Sequence, residues 1–292
     1  MSPPHSEPDA GPLAGCRTRP GLSGIETVEA SAFSASNDLG VSYDSSGPLG
    51  APVIVLIHGM RLSRSMWAAQ IADLRDDYRV IALDLPGHGV LADSPFSLDA
   101  AADQVALVIQ SVVGERTGGR AVVVGLSLGG YVAMNLAARR PDLVRGLVVS
   151  GATAEPVSWR SLPFRALAAV IQRFEGARLV ALNAWFFRSR YPPAIAEPIV
   201  AGGFWTVGGT AALRSLIGER FIPRLAAYPG PILLINGALD LPFRLYAPSF
   251  ARAGRDVRRV RLAGATHLAN LDRPRAFSAA VRSFMRELDQ AA

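Results

Sequence analysis

Short runs of apolar residues alternate with amphipathic segments along most of this chain. Four runs, at 52–57, 121–124, 144–149 and 231–235, are apolar at almost every position. Such runs are typical of strands that bury both faces in a parallel sheet. Shorter or more polar segments predict further strands at 41–43, 79–83 and 257–262.

The amphipathic segments between these runs predict helices. Ser97 is suited to cap the helix that follows it, and Pro141 ends the helix that begins at Leu128. Strands that alternate with helices indicate a parallel sheet with helices on both faces, which is the α/β class. The predicted helices span 65–74, 97–113, 128–139 and 275–288.

The same pattern divides the chain into regions. Residues 1–25 are rich in Pro, Gly and Ser and predict a disordered tail. The alternation stops after residue 154, and residues 155–225 are helical in pattern and rich in aromatic side chains. We therefore expect a core made of 26–154 and 226–292, with a helical cap inserted at 155–225.

Composition excludes several classes of protein. The chain has 292 residues, of which 50% are hydrophobic and 18% charged, so it is not disordered as a whole. It lacks an apolar stretch of the roughly 20 residues that span a membrane. Cys16 is the single cysteine, which excludes a disulfide framework. The segment before it lacks the basic and apolar regions of a signal peptide, so we expect a cytoplasmic protein with no membrane association.

The identity of the basic residues excludes reactions and binding motifs that depend on lysine. All 30 are arginine, and without lysine neither a Schiff base nor a Walker A phosphate loop is available. The net charge of +6 is spread along the chain apart from a cluster at 255–261. No aromatic platform accompanies this cluster, so we interpret it as a solvated strand face and expect no nucleic-acid partner.

A candidate nucleophile lies in the sequence Gly125-Leu126-Ser127-Leu128-Gly129. This segment directly follows the predicted strand 121–124 and opens the next helix. A serine in such a strand-to-helix turn is exposed at the carboxyl end of a sheet, where it can serve as a nucleophile. The alternative is a tight turn with an incidental serine.

A serine hydroxyl needs a base, and the base needs an acid to orient it. Of the four histidines, only His267 follows Ser127, and it lies just past the last predicted strand. Asp240 follows strand 231–235 and is the candidate acid, unless it is only a turn residue or a helix cap. Glu155 is the alternative acid, whereas Asp272 has the position of a helix cap.

A second glycine motif, at 87–92, fits a relaxed dinucleotide-binding fingerprint. Pro86 precedes it, and the next helix does not begin until about Ser97. A phosphate-binding turn would lead directly into a helix N-terminus. We therefore do not expect a nucleotide cofactor.

Over about residues 30–290 the chain resembles the α/β-hydrolase family. The order Ser127, Asp240, His267 is the order of nucleophile, acid and base in that family. The resemblance rests on that order and on His58-Gly59 after one strand, the segment 84–89 after the next, and the Gly-Leu-Ser-Leu-Gly turn.

The resemblance implies a mostly parallel eight-stranded sheet flanked by helices, with a helical cap inserted after the sixth strand. It also implies an oxyanion hole formed by the backbone N–H groups of Met60 and Leu128. By the same resemblance, His58 and His88 are structural, and Asp84 organises a loop.

The function implied is cofactor-free and metal-free hydrolysis of a carboxylic ester of small to medium size through an acyl-enzyme on Ser127. The aromatic cap favours a partly apolar small-molecule substrate, and we expect a monomer or homodimer. Thioesterase, lactonase, carbon–carbon hydrolase, perhydrolase and amidase chemistry remain open on the same residues. A non-catalytic ligand-binding protein is the alternative from another class.

Overall fold

One eight-stranded sheet crosses the part of the chain that the computed structural model describes, which is residues 33–36, 42–113, 118–173 and 176–291. Strands β1 (Phe33–Ser36) and β2 (Ser42–Ser46) lie antiparallel at one edge. The other six strands run parallel. The α/β class and the eight strands predicted are confirmed, whereas the predicted tail at 1–25 lies outside the described residues.

The parallel strands match the predicted apolar runs to within two residues. Their spatial order is β4-β3-β5-β6-β7-β8. The next strand in the chain after β3, which is β4, lies on one side of β3, and β5 lies on the other side, so the direction in which strands are added reverses at β3. The crevice at the carboxyl ends of β3 and β5 is therefore a topological switch point, where α/β proteins place their sites. The bounds are β3 Val53–Ile57, β4 Arg79–Leu83, β5 Ala121–Leu126, β6 Val144–Ser150, β7 Pro231–Gly237 and β8 Asp256–Leu262.

Helices cover both faces of the sheet. Alternate residues of β3 point to opposite sides: Val55 belongs to one hydrophobic core, and Leu56 belongs to the other. Ser97 caps its helix as predicted, since its Oγ accepts a hydrogen bond from the N–H of Ala100 at 3.1 Å. The helices outside the region between β6 and β7 are α1 Ala68–Leu74, α2 Leu98–Val112, α3 Leu128–Arg139, α9 Leu241–Ala253, α10 Ala269–Asp272 and α11 Pro274–Gln290.

Among the described residues between β6 and β7 there are five α-helices, which we call the helical insertion. The predicted boundary at 225/226 falls inside the last of them, which packs against α3 through a contact of Phe221 with Tyr131 at 4.4 Å between ring centroids. That helix thus lies against the sheet core. The five are α4 Leu162–Arg173, α5 Ala177–Arg190, α6 Pro193–Ala201, α7 Thr206–Leu216 and α8 Phe221–Ala227.

Helix α7 is seated on the core by direct contact between two backbones. A Cβ on Gly208 would overlap the carbonyl oxygen of Gly87, in the loop after β4. Only a residue without a side chain allows this approach. The insertion is therefore anchored beside the carboxyl ends of β3 and β4.

Two further features concern the surface of the sheet and the length of the helices. Strand β8 exposes all three of its arginines, in agreement with the predicted solvated face at 255–261. Among the helices of the described segments, none combines the length and apolar character needed to cross a bilayer.

Candidate active site

Ser127 lies at the turn between β5 and α3 in a backbone conformation that few residues adopt. Its φ is 54° and its ψ is −116°. The N–H of Ser127 donates to the carbonyl oxygen of Ser150 at 2.8 Å, which ties the turn to β6. A Cβ on Gly125 would overlap the carbonyl of Gly129, so the flanking glycines leave the room that this turn requires.

Ser127, His267 and Asp240 are connected by two hydrogen bonds. The Oγ of Ser127 lies 3.0 Å from Nε2 of His267, and Nδ1 of His267 lies 3.0 Å from Oδ2 of Asp240. If Nδ1 carries its proton toward the carboxylate, Nε2 is left free to accept the serine proton. The three residues come from loops after β5, β7 and β8, and the fold brings them together across 140 positions of sequence.

Two neighbours fix the imidazole of His267. Phe243 stacks on it, with ring centroids 4.8 Å apart and 29° between the planes. Gly151, with φ of +58°, lies under the ring, and a Cβ there would come within 3.0 Å of Cε1. The base therefore depends on a glycine that immediately follows β6.

The alternative acid, Glu155, is engaged elsewhere. Its Oε1 accepts hydrogen bonds from the N–H groups of Phe221 at 3.0 Å and Ile222 at 2.8 Å. Those N–H groups begin α8 and have no partner within the helix. The structure thus brings Asp240, and not Glu155, to His267.

Asp272 is a residue whose role was missed from the sequence. The prediction that Asp272 is a helix cap is wrong, because Asp272 is the last residue of α10. Its side chain is buried, and its Oδ2 accepts two hydrogen bonds from Thr266. The N–H of Thr266 donates at 2.6 Å, and the hydroxyl Oγ1 of Thr266 donates at 2.5 Å. Its Oδ1 accepts from Arg190 at 2.9 Å and from the hydroxyl of Tyr191 at 3.1 Å. Asp272 therefore joins the loop of His267 to the end of α5, a link that no local pattern signals.

The two predicted oxyanion donors lie beside the serine. Met60, Leu128, Ser127 and His267 all line one cavity. Within the described residues, neither the N–H of Met60 nor that of Leu128 donates to another protein group. A Cβ on Gly59 would lie 3.6 Å from the Cβ of Ser127, which sets the loop before Met60 against the serine.

His58 and His88 are buried and hold this loop, as expected for structural residues. Nε2 of His58 accepts from the N–H of Leu85 at 3.0 Å, and Nε2 of His88 accepts from the N–H of Arg61 at 3.2 Å. Each Nδ1 faces a backbone carbonyl oxygen, that of Gly59 for His58. Because an N–H can only donate, both rings must be neutral with the proton on Nδ1.

Electrostatics agree with neutral rings. Burial, with a smaller contribution from the nearby Arg64 and against the hydrogen bond to Gly59, lowers the pKa of His58 to about 4. Burial also lowers the pKa of His88 to about 3, with a further contribution from His58. Asp84 organises the same loop, as expected: it accepts from the N–H of Arg64 at 2.8 Å.

The cavity has a volume of about 500 Å³, a size that holds a small organic molecule. The helical insertion and α9 supply most of its walls, and these walls are mainly apolar. Across the described segments, no three His, Cys, Asp or Glu side chains are grouped as metal ligands would be. The turn before α4, the insertion and α9 contribute Trp159, Arg160, Pro163, Phe164, Leu167, Leu213, Leu216, Pro242, Phe243, Leu245 and Tyr246.

Comparison with known proteins gives a family and several relatives. A model of the alpha/beta hydrolase family matches residues 54–280. The chain is 35% identical over 145 residues to a pimeloyl-[acyl-carrier protein] methyl ester esterase of Neisseria meningitidis. The aligned residues make up 49% of this chain and 50% of the relative. The chain thus spans about half the length of that esterase.

Two other relatives match over nearly their whole length. A 3-oxoadipate enol-lactonase 2 of Acinetobacter baylyi is 25% identical over 269 residues, which is 87% of this chain and 96% of the relative. The solved structure of a thermophilic esterase from Thermogutta terrifontis is 26% identical, with a TM-score of 0.69 over 88% of this chain and 97% of that one.

Proposed function

This chain belongs to the alpha/beta hydrolase family, and on that premise we propose that it is a serine hydrolase that cleaves carboxylic esters through an acyl-enzyme on Ser127. The observation that carries the proposal is the pair of 3.0 Å hydrogen bonds that join Ser127, His267 and Asp240 at the wall of an apolar cavity. Relatives named as esterases and as an enol-lactonase support ester hydrolysis as the reaction class.

In the proposed mechanism, Nε2 of His267 takes the proton of Ser127 as Oγ attacks the ester carbonyl carbon. The oxyanion accepts hydrogen bonds from the N–H groups of Met60 and Leu128, which have no other acceptor among the described residues. The intermediate collapses, the alcohol leaves with the proton from His267, and Ser127 stays acylated. Asp240 keeps the imidazole in the required tautomer and stabilises its charged form.

Deacylation repeats these steps with water. His267 takes a proton from the water as the water oxygen attacks the acyl carbon, and it then returns that proton to Oγ of Ser127. The products are the carboxylic acid and the alcohol. No group outside the protein and the substrate is needed.

The helical insertion supports a preference for a partly apolar substrate. Phe164, Leu213 and Leu216 line the same cavity as the serine, so an acyl or alcohol part would be buried among them. Burial of apolar area stabilises a complex by about 25 cal/mol per Å². We propose that α4 to α7 act as the cap.

A lactone is the second candidate substrate. A lactone is an internal ester, so the same steps open its ring and release a single product. The match to the enol-lactonase over 96% of that relative favours this candidate over thioester, amide or carbon–carbon bond cleavage.

Labelling with a fluorophosphonate probe tests the proposal. Intact mass should show one adduct on wild-type protein, mapped to Ser127 and absent from Ser127→Ala and His267→Ala. Turnover of p-nitrophenyl acetate, butyrate and hexanoate and of unsubstituted lactones should be lost in the same variants. Ser127→Ala and His267→Ala should each lose at least about 10⁴-fold in kcat.

The results separate the enzyme from a binding protein. A folded wild-type protein that gives no adduct would contradict an activated serine. A single adduct without repeated turnover of any ester would favour a ligand-binding protein built on this fold.

A further inference from the structure

Arg61, the residue after Met60, has a charge that no described side chain neutralises. Its Nε and Nη2 atoms are shielded from solvent and make no hydrogen bond within the described residues. Burial also lowers the pKa of this guanidinium. Two of the three guanidinium nitrogens are thus removed from water without a hydrogen-bond partner, an arrangement that is expected where an anion completes the site.

The side chain of Arg61 is held in one direction by its own backbone. Its φ is +65°, its N–H donates to His88, and its carbonyl oxygen accepts from the N–H of Trp205 at 2.9 Å. The backbone of Gly209 in α7 lies directly against the Cγ of Arg61. The fold therefore fixes the backbone of Arg61 and the first carbons of its side chain.

Arg61 is one of the residues that line a second cavity, of about 600 Å³. Arg173 and Arg178 also line it, and no acidic residue is among its described walls. Its other walls are aliphatic, and one of them, Leu167, lines the cavity of Ser127 as well. The two cavities are therefore neighbours, with the oxyanion loop beside both.

We propose that Arg61, with Arg173 and Arg178, forms a subsite for a carboxylate on the acyl part of the ester substrate. The guanidinium fork matches the two oxygens of a carboxylate, and its pairing would relieve the uncompensated charge. The acyl part is favoured because its carbonyl would be held by the N–H of Met60, one residue from Arg61. The substrate class is thus a monoester of a dicarboxylic acid, or a lactone that bears a carboxylate.

This inference rests on the proposed function and is tested with matched substrates. The monomethyl esters of succinate, glutarate and adipate are each compared with the methyl ester of the corresponding monoamide, which has the same size and no charge. The readout is the ratio of kcat/KM for the anionic ester to that for the amide ester, measured by pH-stat at pH 7.5 at low ionic strength.

Arg61→Met removes the charge and keeps an unbranched side chain. We expect wild type to prefer the anionic ester for at least one chain length, and Arg61→Met to lower the ratio about 10- to 100-fold. Because the amide ester carries no charge, Arg61→Met should lower its kcat/KM less than it lowers that of the anionic ester. Arg61→Lys should keep part of the preference, and Arg61→Gln should reproduce Arg61→Met.

Arg165→Met is the matched control, since Arg165 lies on α4 but lines neither cavity. Its ratio should equal that of wild type. A wild-type protein that hydrolyses both esters equally, or an Arg61→Met variant with an unchanged ratio, would overturn the inference while the proposed function stands. Failure of the proposed function is separate: neither ester would be hydrolysed and no fluorophosphonate adduct would form on Ser127.

Discussion

Acid should unfold this protein above the pH at which carboxylates take up protons, because His58 and His88 are held neutral. Their folded pKa values are about 4 and about 3, whereas an unfolded histidine titrates near about 6.5. The folded values lie below the unfolded ones, so the unfolded chain binds more protons in between. The stabilisation is therefore complete above about pH 6.5 and is lost as the pH falls toward 4.

The size of the effect follows from proton counting. Between about pH 6 and pH 5, each histidine carries nearly one proton in the unfolded chain and almost none in the folded protein. Each such difference lowers the free energy of unfolding by about 1.4 kcal/mol per pH unit, so the pair should cost about 2.5 kcal/mol over this interval. Small domains have only about 5–15 kcal/mol of stability in total.

Urea unfolding followed by the fluorescence of buried Trp67 measures this at half-unit steps from pH 7.5 to pH 5. His88→Gln is the control variant, because an amide can also accept from the N–H of Arg61 but does not titrate. Below about pH 6, its slope of stability against pH should be shallower than that of wild type by about 1.4 kcal/mol per unit. Parallel slopes for the two proteins would refute the argument.

Four further substitutions test separate parts of the site. Asp240→Asn should lower kcat about 10⁴-fold with the fold intact, because it favours the wrong tautomer of His267; stopped assays with esters measure this. Gly151→Ala should lower kcat about 10- to 100-fold by displacing the imidazole, and an unchanged rate would contradict the close contact. Asp272→Asn should lower kcat about tenfold with KM nearly constant, since the loop of the base loses its carboxylate anchor. Glu155→Ala should cost about 1 kcal/mol in urea unfolding but change kcat less than twofold, whereas a large loss of kcat would make it the acid after all.

Much of the core could be predicted because parallel strands bury both faces. Such strands have few polar positions, so their sequence alone identifies them, as at Val53–Ile57. The edge strand Phe33–Ser36 carries only a weak signal, because its alternation of apolar and polar residues, Phe-Ser-Ala-Ser, lasts for four residues. The insertion was predicted as helical, but the limits of its helices depend on packing; α6 even contains Pro198.

The active-site residues also fall into a group that the sequence predicts and a group that it does not. Ser127, Asp240 and His267 each follow a recognisable strand, so their shared edge of the sheet follows from topology. The roles of Phe243 and Asp272 arise only from contacts made by the folded chain, and a single sequence holds no trace of them. Site residues that directly follow predicted strands can thus be identified from the sequence, whereas residues that reach the site through long-range contacts cannot.

The backbone contact between Gly87 and Gly208 ties helix α7 to the loop after β4, and α7 cannot move closer to that loop without a clash. Leu213 and Leu216 of the same helix form part of the cavity wall. Trp159 and Leu245 also line the cavity, but each is 68% exposed. We expect substrate to enter and product to leave past these two exposed side chains, so substitutions there should change the rates of entry and release rather than the bond that is broken.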